Sequence, residues 1–277
     1  MTVPQSASSG RPLAHEIVAN AVLPAQRELV RFLTSDSVSI VGELALPLRP
    51  PRHTIICLHP NPVQGGSMDS HVLRKLAWRF PALFDTAVLR FNFRGVSSRL
   101  GTSGGETDGG NREGLDLAAA LAFVDQRGLP EPWLVGWSFG TDVILRHASD
   151  KRIRGAVLLS PPLRWTTTDD LDRWAASGKP LTCVVPEFDA FLLPEQARER
   201  FARIPGAQIV EGPGSKHLWV GEASVRQALQ AIVHAMVGPD AELPHNWSGP
   251  MERWNDIKGA AVPVALQHAA LPASTNL

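Results

Sequence analysis

Three polar residues follow apolar runs of the sequence, and together they could carry out nucleophilic catalysis. Ser138 lies in the pentapeptide GWSFG (136–140), where a short apolar run gives way to helix-like spacing. Asp189 and His217 each follow a later apolar run. A carboxylate that orients an imidazole, which in turn contacts a serine hydroxyl, activates the serine toward an acyl carbon. We therefore take Ser138, Asp189 and His217 as candidate catalytic residues.

Ser138 also has a simpler interpretation as a helix cap, since serine is favoured at the position before a helix. The two flanking glycines favour a nucleophile instead. Small residues on both sides permit a tight strand-to-helix turn that leaves the hydroxyl exposed. The helix that follows offers unpaired N–H groups and a positive dipole end to a developing oxyanion.

The carboxylate and the base also have competitors along the chain. Glu187 lies two residues before Asp189, and aspartate is common in loops for local structural reasons. We favour Asp189 because it lies further beyond the apolar run, where it can reach an imidazole. His217 is the one histidine after Asp189 that follows a predicted strand, since the others fall inside a helix or in the C-terminal segment.

An acyl-transfer site also needs N–H donors for the oxyanion, and two are expected here. Phe139, directly after the serine, supplies one backbone N–H. In the run HPNP (59–62) the prolines have no N–H, so Asn61 is the remaining donor. His59 is expected to shape this loop by hydrogen bonding rather than to transfer protons.

Three tryptophans, Trp137, Trp165 and Trp174, could line an apolar acyl pocket, although large aromatic residues more often pack in a core. Two of them belong to the short polar and helical insert at 163–179. This insert leaves room for only a small cap over the site.

Strand-like and helix-like runs alternate along the chain, which predicts how these residues are positioned. The pattern indicates one mostly parallel sheet of about eight strands, with helices on both faces and an antiparallel first pair. Ligands bind at the carboxyl ends of such strands. The predicted segments are a flexible arm (1–26), one α/β domain (27–238) and a C-terminal tail or strap (239–277). The strand-like runs are 27–47 (two strands), 53–60, 86–95, 132–137, 153–162, 180–189 and 207–214; the helical runs are 70–80, 113–128, 139–148, 193–204 and 222–238.

Composition narrows the possible partners. The chain has 27 basic and 27 acidic residues, so it carries no net charge that would attract nucleic acid or an anionic membrane. Neither a secretory signal pattern nor a membrane-length apolar run is present, and a cytoplasmic location is expected. Cys57 and Cys183 fall in apolar runs and are expected to be free thiols. Without metal-binding or dinucleotide motifs, we expect no metal and no cofactor, only a small-molecule acyl substrate.

Four segments resemble a known family: LHPNPVQGGSMDSHVLRKLA, LRFNFRGV, SGGETDGG and GWSFG. They are similar to bacterial α/β-superfamily hydrolases related to dienelactone hydrolases and small esterases. The resemblance spans about residues 27–237 and implies the α/β-hydrolase fold. It places Ser138, Asp189 and His217, in that chain order, at the triad positions. Pro186 stands where this group usually has a glycine.

The function expected from these observations is a serine hydrolase that cleaves small to medium acyl esters through an acyl-enzyme. Two alternatives stay open. The same triad could serve a thioesterase or a peptidase. The chain could also be a non-catalytic protein of this fold that binds a ligand or partner, because fold alone does not determine function.

Overall fold

The alternating runs of the sequence fold into one eight-stranded sheet in the computed structural model, which describes residues 14–148 and 150–253. The strands are β1 (Gln26–Leu33), β2 (Ser39–Leu46), β3 (His53–Leu58), β4 (Thr86–Phe91), β5 (Pro132–Trp137), β6 (Gly155–Leu159), β7 (Leu181–Phe188) and β8 (Gln208–Lys216). The six strands β3 to β8 are mutually parallel, and β1 and β2 add an antiparallel hairpin at one edge. The predicted sheet is confirmed.

The order of strands across the sheet is β8-β7-β6-β5-β3-β4-β2-β1. The chain therefore reverses its direction of winding where β3 lies beside β5. Ligand-binding crevices form at such switch points, outside the carboxyl ends of the strands. The loops after β3 and β5 meet at this point, and the loops after β7 and β8 approach it from one side of the sheet.

Helices cover both faces of the sheet. They are α1 (His71–Phe84), α2 (Glu113–Gln126), α3 (Phe139–His147), α4 (Thr168–Ser177), α5 (Pro194–Phe201) and α6 (Glu222–Met236). The central strands β3 to β6 are buried on both faces, as is typical of parallel strands covered by helices. The first core lies under α2 to α5 and the second under α1 and α6. Side chains alternate between them: in β5, Leu134 faces the first core and Trp133, Val135 and Trp137 face the second.

The insert between β6 and β7 is a single short helix, α4. Its N-terminus is a capping box: the Thr167 hydroxyl accepts from the Asp170 N–H, and the Asp170 carboxylate accepts from the Thr167 N–H at 2.7 Å. The buried side chains of Leu171 and Trp174 attach the helix to the first core. The helix packs beside α3 on this face of the sheet, and the small cap over the site remains a prediction.

The two cysteines lie on opposite faces of the sheet, Cys57 in the second core and Cys183 in the first. Both are free thiols, as predicted. Burial raises the pKa of the Cys57 thiol to about 12 and that of Cys183 above its ordinary value. Neither thiol is reactive in this state, because the thiolate is the nucleophilic form.

The terminal segments pair with each other, in the part that the structure describes. His15–Glu16 pairs antiparallel with Asn246–Trp247, and Ala21–Val22 pairs with Glu252–Arg253. The residues of the predicted arm from 14 onward are therefore packed rather than free. Their partners are more than 220 residues away in the chain, so local sequence pattern could not indicate the pairing. Residues 1–13 and 254–277 of the predicted arm and tail lie outside the described residues, and the domain boundaries at 26 and 238 remain predictions.

Short elements complete the described chain. They are a 3₁₀ turn at Pro62–Gln64 and a small hairpin formed by Ser97–Ser98 and Gly101–Thr102. Among residues 14–148 and 150–253, no helix has the length and apolarity to cross a membrane.

Candidate active site

Ser138 occupies a strained corner between β5 and α3. Its backbone has φ 51° and ψ −117°, a conformation that non-glycine residues rarely adopt. The flanking glycines make the corner sterically feasible: a Cβ on Gly136 would lie 2.8 Å from the Gly140 backbone, and one on Gly140 would lie 2.3 Å from the Leu58 carbonyl oxygen. The serine is only half-buried, so its hydroxyl is presented at the carboxyl edge of the sheet.

The three predicted residues meet at this corner. The Ser138 Oγ lies 2.9 Å from His217 Nε2, and His217 Nδ1 lies 2.9 and 3.0 Å from the two Asp189 carboxylate oxygens. A carboxylate only accepts hydrogen bonds, so Nδ1 carries the imidazole proton and Nε2 is left to accept the Ser138 hydroxyl proton. Asp189 is almost fully buried, with 2% of its side chain exposed, while His217 keeps 12% exposed.

Glu187, the competing carboxylate, points elsewhere. One of its oxygens accepts the Gly214 N–H at 2.7 Å, which joins the carboxyl-terminal ends of β7 and β8. No hydrogen bond joins it to the imidazole among the described residues. Pro186 coincides with a register irregularity between β7 and β8. Asp189 still reaches His217, and its Oδ1 also accepts the Phe191 N–H at 2.9 Å.

The loop after β3 is folded tightly around Asn61. The Asn61 carbonyl accepts the N–H groups of Gln64 and Gly66, and its side-chain oxygen accepts the Val63 N–H at 3.0 Å. The Asn61 N–H has no acceptor among the described residues. Phe139 is the first residue of α3, so its N–H has no acceptor within the helix. The packing of Leu58 against Gly140 brings this loop against the start of α3.

His59 is fully buried and lies under this loop. Its Nε2 accepts the Phe93 N–H at 3.0 Å, so Nδ1 carries the proton that it donates to the Pro60 carbonyl at 2.7 Å. Burial lowers the pKa of His59 to about 4. The imidazole therefore fixes the shape of the loop and makes no hydrogen bond to Ser138.

The three predicted pocket tryptophans have different surroundings. Trp137 and Trp174 are each only 3% exposed and lie in the second and first cores, which leaves little surface for a substrate. Trp165 is half-buried, and its ring packs edge-on against Phe139 with centroids 5.3 Å apart. The Asp142 carboxylate holds this segment by accepting the Trp165 N–H at 3.1 Å.

Phe191 is a residue of the site that the sequence did not single out. Its ring centroid lies 4.5 Å from that of the His217 imidazole, and half of the residue is exposed. Other exposed apolar side chains lie at or beyond the carboxyl ends of β3, β7 and β8: Val63, Phe188, Leu193, Leu218 and Val220. The apolar run after Asp189 was the available signal, but sequence alone does not distinguish an exposed phenylalanine from a core one.

Comparison with known proteins gives matches among solved structures only. No family model and no curated protein matches the chain. It is similar to an α/β serine hydrolase without a lid from Xanthomonas campestris (25% identity, TM-score 0.64, 77% of this chain and 96% of that one). It is also similar to an α/β serine hydrolase homologue from Coxiella burnetii (25%, 0.62, 73% and 94%). An esterase from Pyrococcus furiosus shares the fold at 22% identity, with a TM-score of 0.56 over 70% of this chain and 85% of that one.

The strand order, the strained serine corner and these similarities define the α/β-hydrolase fold, and the predicted fold class is confirmed. The resemblance of the sequence motifs to the α/β-hydrolase superfamily is confirmed with it. By fold the chain is an α/β hydrolase.

Proposed function

We propose that this protein is a serine hydrolase that cleaves small to medium carboxylic esters through an acyl-enzyme. The observation that carries the proposal is the continuous hydrogen-bonded chain from Ser138 through His217 to Asp189, with distances of 2.9 to 3.0 Å. The Ser138 corner stores backbone strain, and such strain is typical of functional positions. A helix cap needs neither a paired imidazole nor a buried carboxylate behind it.

The first half of the reaction forms the acyl-enzyme. Ser138 Oγ attacks the acyl carbon while His217 Nε2 takes the hydroxyl proton, and the carbonyl oxygen becomes an oxyanion. Asp189 stabilises the resulting imidazolium and keeps it oriented. The Phe139 and Asn61 N–H groups stabilise the oxyanion, an interaction typically worth about 3 to 4 kcal/mol per donor. His217 then gives its proton to the leaving oxygen, and an alcohol departs.

The second half restores the enzyme. A water molecule attacks the acyl carbon, His217 takes a proton from it, and the second tetrahedral intermediate forms at the same donors. When this intermediate collapses, the bond to Ser138 Oγ breaks and the proton returns to that oxygen. The product is a carboxylic acid. No other group of the chain has to donate or accept a proton.

Apolar side chains around the triad support an ester with apolar groups as the substrate. Phe191 lies over the imidazole, Trp165 lies beside Phe139, and the single helix α4 is the only insert between β6 and β7. Such a site is open and offers apolar walls to an acyl chain or to an alcohol group. An open, apolar site suits an ester better than an extended peptide, which also needs polar partners for its backbone.

A substrate panel tests this function. Purified protein is assayed on p-nitrophenyl esters from acetate to palmitate, together with a thioester and an anilide of the best acyl group. We expect the highest kcat/KM for an ester of short or medium chain and no turnover by Ser138→Ala. A preference for the thioester or the anilide would replace the proposed substrate class. The absence of turnover on every substrate would favour the binding-protein alternative.

A further inference from the structure

The backbone carbonyl of His217 is held by two side chains from neighbouring strand ends. The Trp137 indole N–H donates to it at 3.2 Å, and the Ser160 hydroxyl donates to it at 3.1 Å. Trp137 is the last residue of β5 and Ser160 directly follows β6. The loop that bears the proposed base is therefore fastened to the sheet at His217 itself.

The direction of each hydrogen bond follows from the chemistry of the groups. Trp219 Nε1 lies 2.9 Å from Ser160 Oγ, and an indole N–H can only donate. Ser160 Oγ therefore accepts from Trp219, and its single proton is directed to the His217 carbonyl. The chain of bonds runs from Trp219 through Ser160 to His217, and Trp137 adds the second donor to the same oxygen.

Two of these residues adopt unusual backbone conformations to reach their positions. Ser160 has φ 50° and Trp219 has φ 49°, and both are almost fully buried. Strained conformations persist only where the surrounding structure enforces them, and they concentrate at functional sites. The Trp219 carbonyl in turn accepts from His71 Nε2 at 3.2 Å. The loop after β8 is thus connected to the start of α1 as well as to the sheet.

Trp137 and Ser160, the two donors to the His217 carbonyl, are attached to the same stretch of backbone structure as the nucleophile. Trp137 is joined to Ser138 by one peptide bond, and the Ser138 N–H donates to the carbonyl of Leu159, the residue before Ser160. The two donors therefore move with the serine corner. A shift of His217 relative to Ser138 would have to break at least one of these bonds.

We propose that Trp137, Ser160 and Trp219 are positioning residues that set the distance between Ser138 Oγ and His217 Nε2. This inference rests on the proposed function of Ser138 and His217. It replaces the predicted role of Trp137 as a pocket residue, because the indole lies in the second core and donates its N–H to the His217 carbonyl. None of the three touches the reacting atoms.

Trp133 provides a matched control within the same strand. It lies four residues before Trp137, faces the same core and is 6% exposed. Its indole nitrogen is buried but has no hydrogen-bond partner in the part of the chain that the structure describes. Replacing each tryptophan with phenylalanine removes a similar ring from the same core, but only Trp137→Phe removes a hydrogen bond to His217.

The experiment compares Trp137→Phe, Trp133→Phe and Ser160→Ala in the full-length protein. For each variant, kcat and KM on the best p-nitrophenyl ester are measured, with thermal unfolding as the folding check. Because small misplacements of catalytic groups can cost up to about 100-fold in rate, we expect Trp137→Phe and Ser160→Ala each to lower kcat by about tenfold. KM should stay within about twofold of the wild-type value, and Trp133→Phe should keep the wild-type kcat.

A second readout does not depend on turnover. The proton on His217 Nδ1, bonded to Asp189, is observed by ¹H NMR and assigned by its loss in His217→Gln. We expect this signal to broaden or shift in Trp137→Phe and Ser160→Ala and to be unchanged in Trp133→Phe. If the wild type has no activity, the proposed function fails, and the NMR comparison still tests the positioning role. The inference is overturned if Trp137→Phe or Ser160→Ala has the same kcat as Trp133→Phe. For an inactive enzyme, it is overturned if either variant has the same Nδ1 proton signal as Trp133→Phe.

Discussion

At the residue scale, the proposed chemistry depends on which carboxylate supports the imidazole. Asp189 contacts His217 Nδ1 with both oxygens and is buried, whereas Glu187 bonds to the Gly214 N–H near the surface. Only the first geometry fixes the tautomer that leaves Nε2 free to accept the serine proton. Their two positions in the chain are nearly equivalent, but their roles differ.

Asparagine and glutamine substitutions separate these roles. Asp189→Asn keeps the size of the side chain but allows the wrong imidazole tautomer, so kcat should fall by roughly 1,000- to 10,000-fold. Glu187→Gln retains an oxygen that can accept from Gly214, and it should lower kcat less than about threefold, since surface substitutions of this kind have small effects. Ester hydrolysis by the two purified variants is the measurement. A larger loss for Glu187→Gln would mean that the carboxylate is assigned incorrectly.

His59 gives a prediction about pH. In the folded protein burial lowers its pKa to about 4 from an ordinary value of 6.5. Between these values the unfolded chain binds a proton that the folded chain excludes, so the free energy of unfolding falls as the pH drops from 6.5 towards 4. Above pH 6.5 His59 is neutral in both the folded and the unfolded chain, so its titration no longer lowers the free energy of unfolding. A lowering of this size corresponds to about 3 kcal/mol of unfolding free energy over this pH range.

His59→Gln isolates this contribution, because glutamine can still donate to Pro60 and accept from Phe93 but does not titrate. Urea unfolding is measured for both proteins at pH 7, 5.5 and 4. The wild type should lose about 3 kcal/mol more than the variant over this range. Parallel losses in the two proteins would show that His59 is not held neutral in the fold.

At the element scale, the strand-to-helix corner is set by how closely α3 approaches the loop after β3. A Cβ on Gly140 would lie 2.3 Å from the Leu58 carbonyl oxygen, a contact that neither backbone segment can relieve without moving. The same approach positions the Phe139 N–H relative to the loop that carries Asn61. Packing and the proposed oxyanion site therefore depend on the same glycine.

Gly140→Ala should destabilise the protein by roughly 2 to 4 kcal/mol, in the range expected for overpacking against fixed backbone, and should lower kcat in the fraction that folds. Gly104→Ala is the control, because a Cβ there would meet its nearest neighbour at an ordinary 3.6 Å. Thermal unfolding and ester turnover are compared for both. A Gly140→Ala variant as stable and active as Gly104→Ala would contradict the close approach of α3 to this loop.

The sequence predicts where these elements lie along the chain better than it predicts which contacts they make. The apolar runs locate β5, β7 and β8, and the polar residues just beyond them, Ser138, Asp189 and His217, are the ones that meet in the structure. The role of Trp137 could not be predicted in this way. Its side chain faces the second core, and its hydrogen-bond acceptor is 80 residues further along the chain.

At the scale of the whole molecule, the terminal segments form a small layer on the face covered by α1 and α6. Arg226 donates to the Leu243 carbonyl at 2.8 Å, and Gln230 donates to the Ala241 carbonyl at the same distance. Within this layer, Ile17, Ala21 and Leu23 form a small apolar cluster that packs against Leu83 of α1 and Trp247. The hydrogen bonds of Ser138, Asp189 and His217 involve no described residue of these segments.

Removal of residues 239–277 tests whether the C-terminal segment stabilises the fold without contributing to the site. The deletion exposes apolar surface and leaves several hydrogen-bonding groups of α6 without partners, so the melting temperature should fall by several degrees, as is typical for a loss of about 1 to 2 kcal/mol. The kcat of the folded protein should stay within about twofold of the full-length value, because no proposed catalytic group is removed. Loss of activity with an intact fold would show that the C-terminal segment contributes to the site.

The most direct test of the proposed mechanism is covalent labelling of the nucleophile. The full-length protein is treated with a fluorophosphonate, and the modified peptide is identified by mass spectrometry alongside Ser138→Ala and His217→Ala. We expect one adduct per chain, located on Ser138, with no labelling of Ser138→Ala and labelling of His217→Ala slowed by at least about 1,000-fold. An adduct on another residue, or an unlabelled wild-type protein, would contradict the assignment of Ser138 as the nucleophile.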